Sequence, residues 1–320
     1  MALYLITGVA GFIGSNLAQA LVRRGEEVRG FDNFSTGKHE NIAELKGKID
    51  FREIDLLDAT AVADACRGVN FVLHQAAIPS VPKSVVDPVT SHDANVNGTL
   101  NLLMGARTAG VQRVVYAASS SAYGDTPTLP KSEEMPPNPI SPYAVQKLTG
   151  ELYMTSFSRV YGMQTVSLRY FNIFGPRQDP TSQYSGVLAK FISQMLAGSP
   201  CTIFGDGEQS RDFTYIENAV NANLLACSAP AEKVSGKMFN VATGTRFSLN
   251  ETFRALASII GYEGEPQYAE PRAGDVKHSL ADVSRARDAM GYEPTVRFED
   301  GLRRTVEWYN QALVLANASR

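Results

Sequence analysis

Three cysteines, Cys66, Cys201 and Cys227, are all that 320 residues hold, and no two of them form a CxxC pair. That excludes a disulfide framework and a cysteine-built zinc site, and it suits a reducing cytosol. Charge of one sign is missing too. Lys and Arg number 30 against 33 Asp and Glu, net −3, with no long basic run. Nucleic acid and anionic membrane surfaces are therefore poor partners. No apolar stretch is long enough to span a bilayer. The opening "MALYLITGVAG" lacks a basic n-region, so it reads as a first strand rather than a signal peptide or anchor. Repeats, linkers and low-complexity tracts are absent. What is present is 44% apolar residues, enough to fill the core of one large α/β unit or two modest domains.

The pattern is strand and helix in alternation. "ALYLITG" is a compact apolar run ending in glycine, and "FIGSNLAQALVRRG" follows with Ile13, Leu17 and Leu21 at helical spacing. "EEVRGFDN", "IDFREIDLLD", "VNFVLHQAA" and "VQRVVYAASS" read as further strands, with helices such as "NVNGTLNLLMGARTAG" between them. Nearly continuous Val, Ile, Leu and Phe in the strands predicts a parallel sheet covered on both faces. After "TVSLRYFNIFGP" the rhythm loosens into shorter strands, which predicts a smaller, interleaved second domain; "KMFNVATG" looks like a return to the inner sheet.

"TGVAGFIG" spaces Gly8, Gly11 and Gly14 three apart between the first strand and first helix. Glycines there let the backbone approach a pyrophosphate, and the helix N-terminus offers its free N–H groups. The spacing is GxxGxxG, and an ordinary strand-to-helix turn could share it. About 20 residues on, the second strand ends in Asp32, placed to bond an adenosine ribose diol and to repel a 2′-phosphate, which favours NAD over NADP. Lys38 nearby reads as a solvated loop charge. Asp55 in "DLLD" suits either an adenine amine or a strand-end cap. His74 in "HQAA" reads as a satisfied core histidine, followed by the small Ala76 and Ala77 against which something flat could lie.

"SPYAVQK" opens a helix with Ser141 as N-cap and Pro142 at the first position. Ala144, Leu148 and Leu152 recur every four residues, and Gly162 closes the helix. Tyr143 and Lys147 then share one face. An ammonium near a phenol should draw its pKa down from about 10, making a general acid and base for a hydroxyl. The pair alone could be an exposed surface pair; the dinucleotide site upstream favours the chemical reading.

Together "TGVAGFIG", Asp32, "NVNGT", "SSSAYG", "YAVQK", "RYFNIFGP" and "SRDFTYI" resemble the extended short-chain dehydrogenase/reductases, and within them the nucleotide-sugar 4-epimerases. The resemblance implies a Rossmann-type doubly wound parallel sheet (residues 1–172, with about 212–243 returning to it) and a smaller C-terminal substrate-binding domain (173–320). It implies NAD held by Gly8, Gly11, Phe12, Ile13, Gly14, Asp32, Asn33, Asp55, Leu56, Ala76, Ala77 and Asn95, together with Tyr143 and Lys147. Tyr143 would be the base, Lys147 the ribose-holding lysine, and Ser119 the hydroxyl that bonds the sugar O4, with Ser120 and Ser121 alternatives for that role. Asn172, Arg211, Arg272 and Asp275 would hold a UDP-sugar, and the segment of Thr202 and Phe204 its uracil. A homodimer through helices near 91–110 and 142–161 is implied, and no metal.

Relatives that eliminate water or carboxylate place an acid just after the hydroxyl residue; here the segment is Ser-Ser-Ser-Ala-Tyr-Gly. Simple redox at one carbon is what remains, and so C4 epimerisation is the expected reaction. Ser279 occupies a position where some glucose-specific relatives carry a large aromatic, leaving room for the N-acetyl group of UDP-GlcNAc and UDP-GalNAc alongside UDP-glucose and UDP-galactose. Pro79 stands where some relatives have a lysine, so Ser80 and Ser84 are expected to touch the sugar. A UDP-glucuronate 4-epimerase is the rival reading, with Arg177 as its cation or else bridged to Asp179. A catalytically idle NAD-binding protein of the same fold is the remote one.

Overall fold

A computed structural model describes residues 1–180, 186–271 and 277–318. Seven parallel strands form the central sheet: β1 (Leu3–Thr7), β2 (Glu27–Asp32), β3 (Asp50–Glu53), β4 (Phe71–His74), β5 (Arg113–Ser119), β6 (Gln164–Tyr170) and β7 (Lys237–Val241). Their order across the sheet is β7-β6-β5-β4-β1-β2-β3. The chain runs outward from β1 to β3, then returns to place β4 beside β1, in register from Tyr4↔Phe71 to Thr7↔His74. That reversal opens a crevice at the carboxyl ends of β1 and β4, where open α/β sheets bind their ligands.

The strands are apolar throughout because both faces are covered. Adjacent residues serve opposite cores: Ile6 and Val115 belong to one buried cluster, Leu5 and Val114 to the other. Helices α1 (Phe12–Arg23) and α5 (Ile216–Ser228) pack together on the first side. On the second lie α2 (Ala59–Ala65), α3 (Gly98–Ala109) and α4 (Pro142–Tyr161). The smaller unit is built from two-residue and three-residue strand pairs, such as Thr202–Phe204 beside Gln267–Ala269, and from the helices Val187–Leu196 and Leu249–Ile260. The latter opens on a capping box, Ser248 with Glu251.

The helix α4 differs from its sequence pattern. Its buried face is Ala144, Gln146, Lys147, Gly150, Glu151, Met154 and Phe157, while Leu152 is exposed. Four-residue apolar spacing marks a stripe, but here it runs from buried Ala144 to exposed Leu152, and paired polar groups share the inward face. Among the described residues no helix is long and apolar enough to cross a membrane.

Candidate active site

The glycine turn is fixed by close approach. Gly8 has φ +68°, and a β-carbon there would lie 2.8 Å from the Ala76 backbone. One on Gly14 would lie 2.1 Å from the Gly8 carbonyl oxygen. The Gly11 amide donates to that oxygen at 3.0 Å, closing the turn. Gly11 then begins α1 with no side-chain cap and no acid in the first turn. Those helix amides and their positive dipole end suit a pyrophosphate. Phe12 and Ile13 pack partly buried against the core beneath.

Asp32 is buried at the end of β2, where its carboxylate accepts from Ala10 N at 2.9 Å and Phe34 N at 2.8 Å. Burial pushes its carboxyl up from the usual range. Each oxygen keeps capacity for a second donor such as a ribose hydroxyl. Asn33 donates to Asp55 at 2.8 Å, and Asp55 also accepts from Leu57 N at 2.8 Å, so Asp55 caps its own turn. Leu56 is buried, with its carbonyl held by Asn101 at 3.0 Å. Lys38 is not a free loop charge: it pairs with Asp179 at 3.0 Å.

His74 is a satisfied core histidine whose tautomer can be derived. Thr99 Oγ1 donates its one hydrogen to Asn95 O at 2.7 Å, so it accepts from His74 Nε2 at 2.9 Å. Nδ1 then accepts from Thr7 Oγ1 at 2.7 Å, while Thr7 Oγ1 accepts from Ala76 N at 3.1 Å. Burial, and after it the charge of Lys147, pushes the ring down to about 3. Ala76 and the neighbouring Ala77 are thus anchored against the glycine turn.

Ser141 caps α4 through Ala144 N at 3.2 Å, and Gly162 ends it at φ +67°. Tyr143 and Lys147 face inward, and the Ser119 hydroxyl is near enough to the Tyr143 phenol to favour its ionised form. Of the three serines after β5, Ser119 is therefore the one beside Tyr143. Ser121 turns back to Ser119, donating at 2.9 Å, and Ser120 starts the tight turn between them. The expectation that Lys147 draws the tyrosine down is corrected. Burial wins and raises the Tyr143 phenol, and Ser119 is the group that opposes it. Lys147 is itself buried, which lowers it to about 7, with Glu151 opposing. Its ammonium lies 4.5 Å from the Tyr116 ring centroid.

Ser80 and Ser84 are both buried and both hydrogen-bonded to backbone. Ser80 caps the helix Val81–Val86 through Lys83 N at 3.1 Å. Ser84, fully buried, accepts from Tyr143 N at 3.0 Å and so fixes the first turn of α4. Asn95 sits in a π-helical turn, Asp93–Asn97. It accepts from Ile78 N at 2.8 Å and donates to Gln146 at 2.9 Å, linking the loop after β4 to α4.

The second half of the site is a cavity of about 270 Å³ that brings together Asn172, Thr202, Phe204 and Arg211. Asn172, at φ +38°, donates to Asp212 O at 3.0 Å and Ser279 Oγ at 3.2 Å. The Asp212 carboxylate knits the cavity's segments. It accepts from Thr243 N, Thr243 Oγ1, Gly244 N and Ala281 N, at 2.7 to 3.2 Å. Arg272 and Asp275 lie outside the described residues. Arg177 does not bridge Asp179; its buried guanidinium reaches Glu44 at 3.6 Å.

A family model described as the NAD dependent epimerase/dehydratase family matches residues 4–242. The chain belongs to that family. As a member of the NAD dependent epimerase/dehydratase family it is an enzyme that uses NAD, and the glycine cradle, the uncapped α1 and Asp32 fit that group. Its sequence is 40% identical to a UDP-glucose 4-epimerase of Mycolicibacterium smegmatis, covering 95% of this chain and 97% of that one. It is 33% identical to a UDP-glucuronate 4-epimerase of Thermodesulfobacterium geofontis, covering 98% of both. A UDP-N-acetylglucosamine 4-epimerase from Methanobrevibacter ruminantium, solved with UDP-N-acetylmuramic acid, superposes with a TM-score of 0.93 at 37% identity. That match covers 97% of this chain and 99% of that one.

Sequence reasoning missed Gln146, Ser84 as a cap, and Asp212. The "SRDF" motif contains Asp212 and was the available signal for it; the other two depend on partners more than 50 residues away.

Proposed function

We propose that this enzyme inverts C4 of a UDP-sugar reversibly, and that it admits an N-acetylated sugar. The observation that carries the reaction type is the Ser119 hydroxyl beside the Tyr143 phenol, at the head of a turn whose residues Ser120–Tyr123 include no carboxylate to drive elimination. Bound NAD supplies a reversible hydride acceptor. Tyr143 takes the C4 hydroxyl proton and later gives it back, with Ser119 orienting that hydroxyl. Lys147 holds the ribose side. Arg211 keeps the diphosphate in place while the 4-keto sugar turns its other face. Incubating the pure protein, without added cofactor, with each UDP-hexose and reading C4 by NMR tests this. Substrate returned unchanged across the panel defeats it.

Ser279 carries the substrate choice. It is small, partly buried and bonded to Asn172 on the cavity wall. Ser279→Tyr is expected to cut turnover of UDP-GlcNAc and UDP-GalNAc about 10- to 100-fold while sparing UDP-glucose and UDP-galactose. Ser279→Ala removes only the bond to Asn172 and should spare all four. Equal losses on both sugar classes with tyrosine would refute the wall. The UDP-glucuronate reading is weakened because Arg177, its cation, turns to Glu44.

The surface supports a homodimer. Val85, Val86 and Val89 are exposed beside Val145 and Leu152 of α4 and Met104 of α3. Exposed apolar side chains on adjoining helices suit an interface, and a second copy would cover both helices in a closed two-fold contact. Val145→Glu with Leu152→Glu should halve the mass measured by light scattering. A wild-type chain that is monomeric at micromolar concentration removes the proposal.

A further inference from the structure

The structure assigns Arg169 and Glu151 a positioning role: this buried pair ties the turn that carries Ser119 to the helix that carries Tyr143 and Lys147. It rests on the C4-epimerase reading of the same site. Glu151 lies on α4 one turn beyond Lys147 and two beyond Tyr143, on the same inward face. It is 1% exposed, and Arg169, on β6, is 2% exposed. Arg169 Nε donates to Glu151 at 2.9 Å and Nη2 at 2.7 Å, a bidentate bond. Its guanidinium carbon is 4.6 Å from the Tyr123 ring centroid. Nη1 has no hydrogen-bond acceptor among the described residues, and the ring face serves the cation in its place. Tyr123 ends the tight turn that begins after Ser119, and its hydroxyl donates to Asn240 at 2.7 Å, fixing the ring.

A closed circuit results. Tyr143 stands beside Ser119, the turn leads to Tyr123, Arg169 joins Tyr123 to Glu151, and the helix returns to Lys147 and Tyr143. Neither Arg169 nor Glu151 reaches the reacting atoms in this circuit. A buried ion pair is seldom a net stabiliser, since apolar residues of similar volume often serve as well. Its placement between two halves of the site gives it another use. Electrostatics agree. Lys147 faces Tyr143 and Glu151 from α4, Tyr116 from β5 and the neutral His74 from β4. Tyr116 is held protonated by burial. Glu151 is the anion that offsets the burial of the Lys147 ammonium.

The test uses Glu151→Leu with Arg169→Met, which removes both charges and refills the space. A 13Cε-lysine NMR titration follows Lys147 directly and needs no substrate, so it stays readable whether or not the C4-epimerase reading holds. The double variant is expected to melt cooperatively, as the wild type does. Its kcat should fall about 100-fold at unchanged KM, as for a catalytic group moved by an ångström or less. Its Lys147 midpoint should fall by about one pH unit. Wild-type kcat, or an unmoved Lys147 midpoint, overturns the assignment. Should the double variant not fold, Arg169→Lys decides it: the charge stays but the bidentate tie to Glu151 is lost, so kcat should fall at unchanged KM, and wild-type kcat overturns the assignment.

Discussion

Tyr143→Phe is expected to lower kcat by about 10³-fold, in the range that a positioned acid–base group supplies, while the protein keeps its fold and its NAD. The substitution removes one hydroxyl. The Ser119 hydroxyl beside it keeps Ser121 N at 3.2 Å and Ser121 Oγ at 2.9 Å as company, so little buried polarity is stranded. The α4 N-terminus is untouched, because Ser141 caps it and Ser84 bonds the backbone amide of residue 143 rather than its side chain. On the proposed reaction, what is lost is the group that takes and returns the C4 proton. The neighbouring ionisable groups cannot replace it. His74 is locked between Thr7 and Thr99 with both nitrogens occupied. Lys147 lies over the Tyr116 ring. The measurement is single-turnover epimerisation beside the absorbance of retained NAD. A variant with a tenth or more of wild-type turnover would mean that another base works in the site.

Much of this site could be read from the sequence because its signals are local. The glycine triplet, Asp32, the Ser141–Pro142 helix start and the Gly162 stop each act within a few residues, and each stands where the spacing puts it. What could not be read depends on distant partners. Ser80 and Ser84 were expected at the sugar because Pro79 stands where some relatives have a lysine; that Ser84 holds the amide of Tyr143, 59 residues on, shows only in the packing of Val81–Val86 on α4. Lys147 was expected to lower the tyrosine because charge attraction is visible in a four-residue spacing. Burial, which outweighs it, is a property of the whole fold. Arg177 and Asp179 are two residues apart, yet each pairs elsewhere, with Glu44 and Lys38. The Arg169–Glu151 pair joins strand to helix across 18 positions of chain and carries no local motif.

Gly14→Ala is expected to empty the cofactor site, and the reason is steric. Alanine at a helix position is ordinarily worth about 1 kcal/mol over glycine, so a helix-propensity argument predicts stabilisation. The geometry predicts the reverse. The new β-carbon would lie 2.1 Å from Gly8 O, and 2.9 Å from both Gly8 C and Val9 Cα. All three are backbone, so no side chain can swing aside. Relief requires the turn itself to open, and Gly8 cannot retreat because Ala76 stands behind it. Overpacking of this kind costs about 3 kcal/mol, which exceeds the propensity gain. The opened turn would also lose the Gly11–Gly8 bond that orients the first amides of α1 toward a pyrophosphate. Gly110→Ala is the control. Unlike Gly14 it has a positive φ, +68°, but nothing stands within 4 Å of its added carbon. It should cost about 1 kcal/mol, the strain of a left-handed residue alone, and leave NAD in place. Calorimetry gives the stabilities, and the absorbance ratio of the purified proteins gives the bound dinucleotide. Should Gly14→Ala hold NAD as the wild type does, the turn is not the pyrophosphate cradle, and the dinucleotide must be sought at another edge of the sheet.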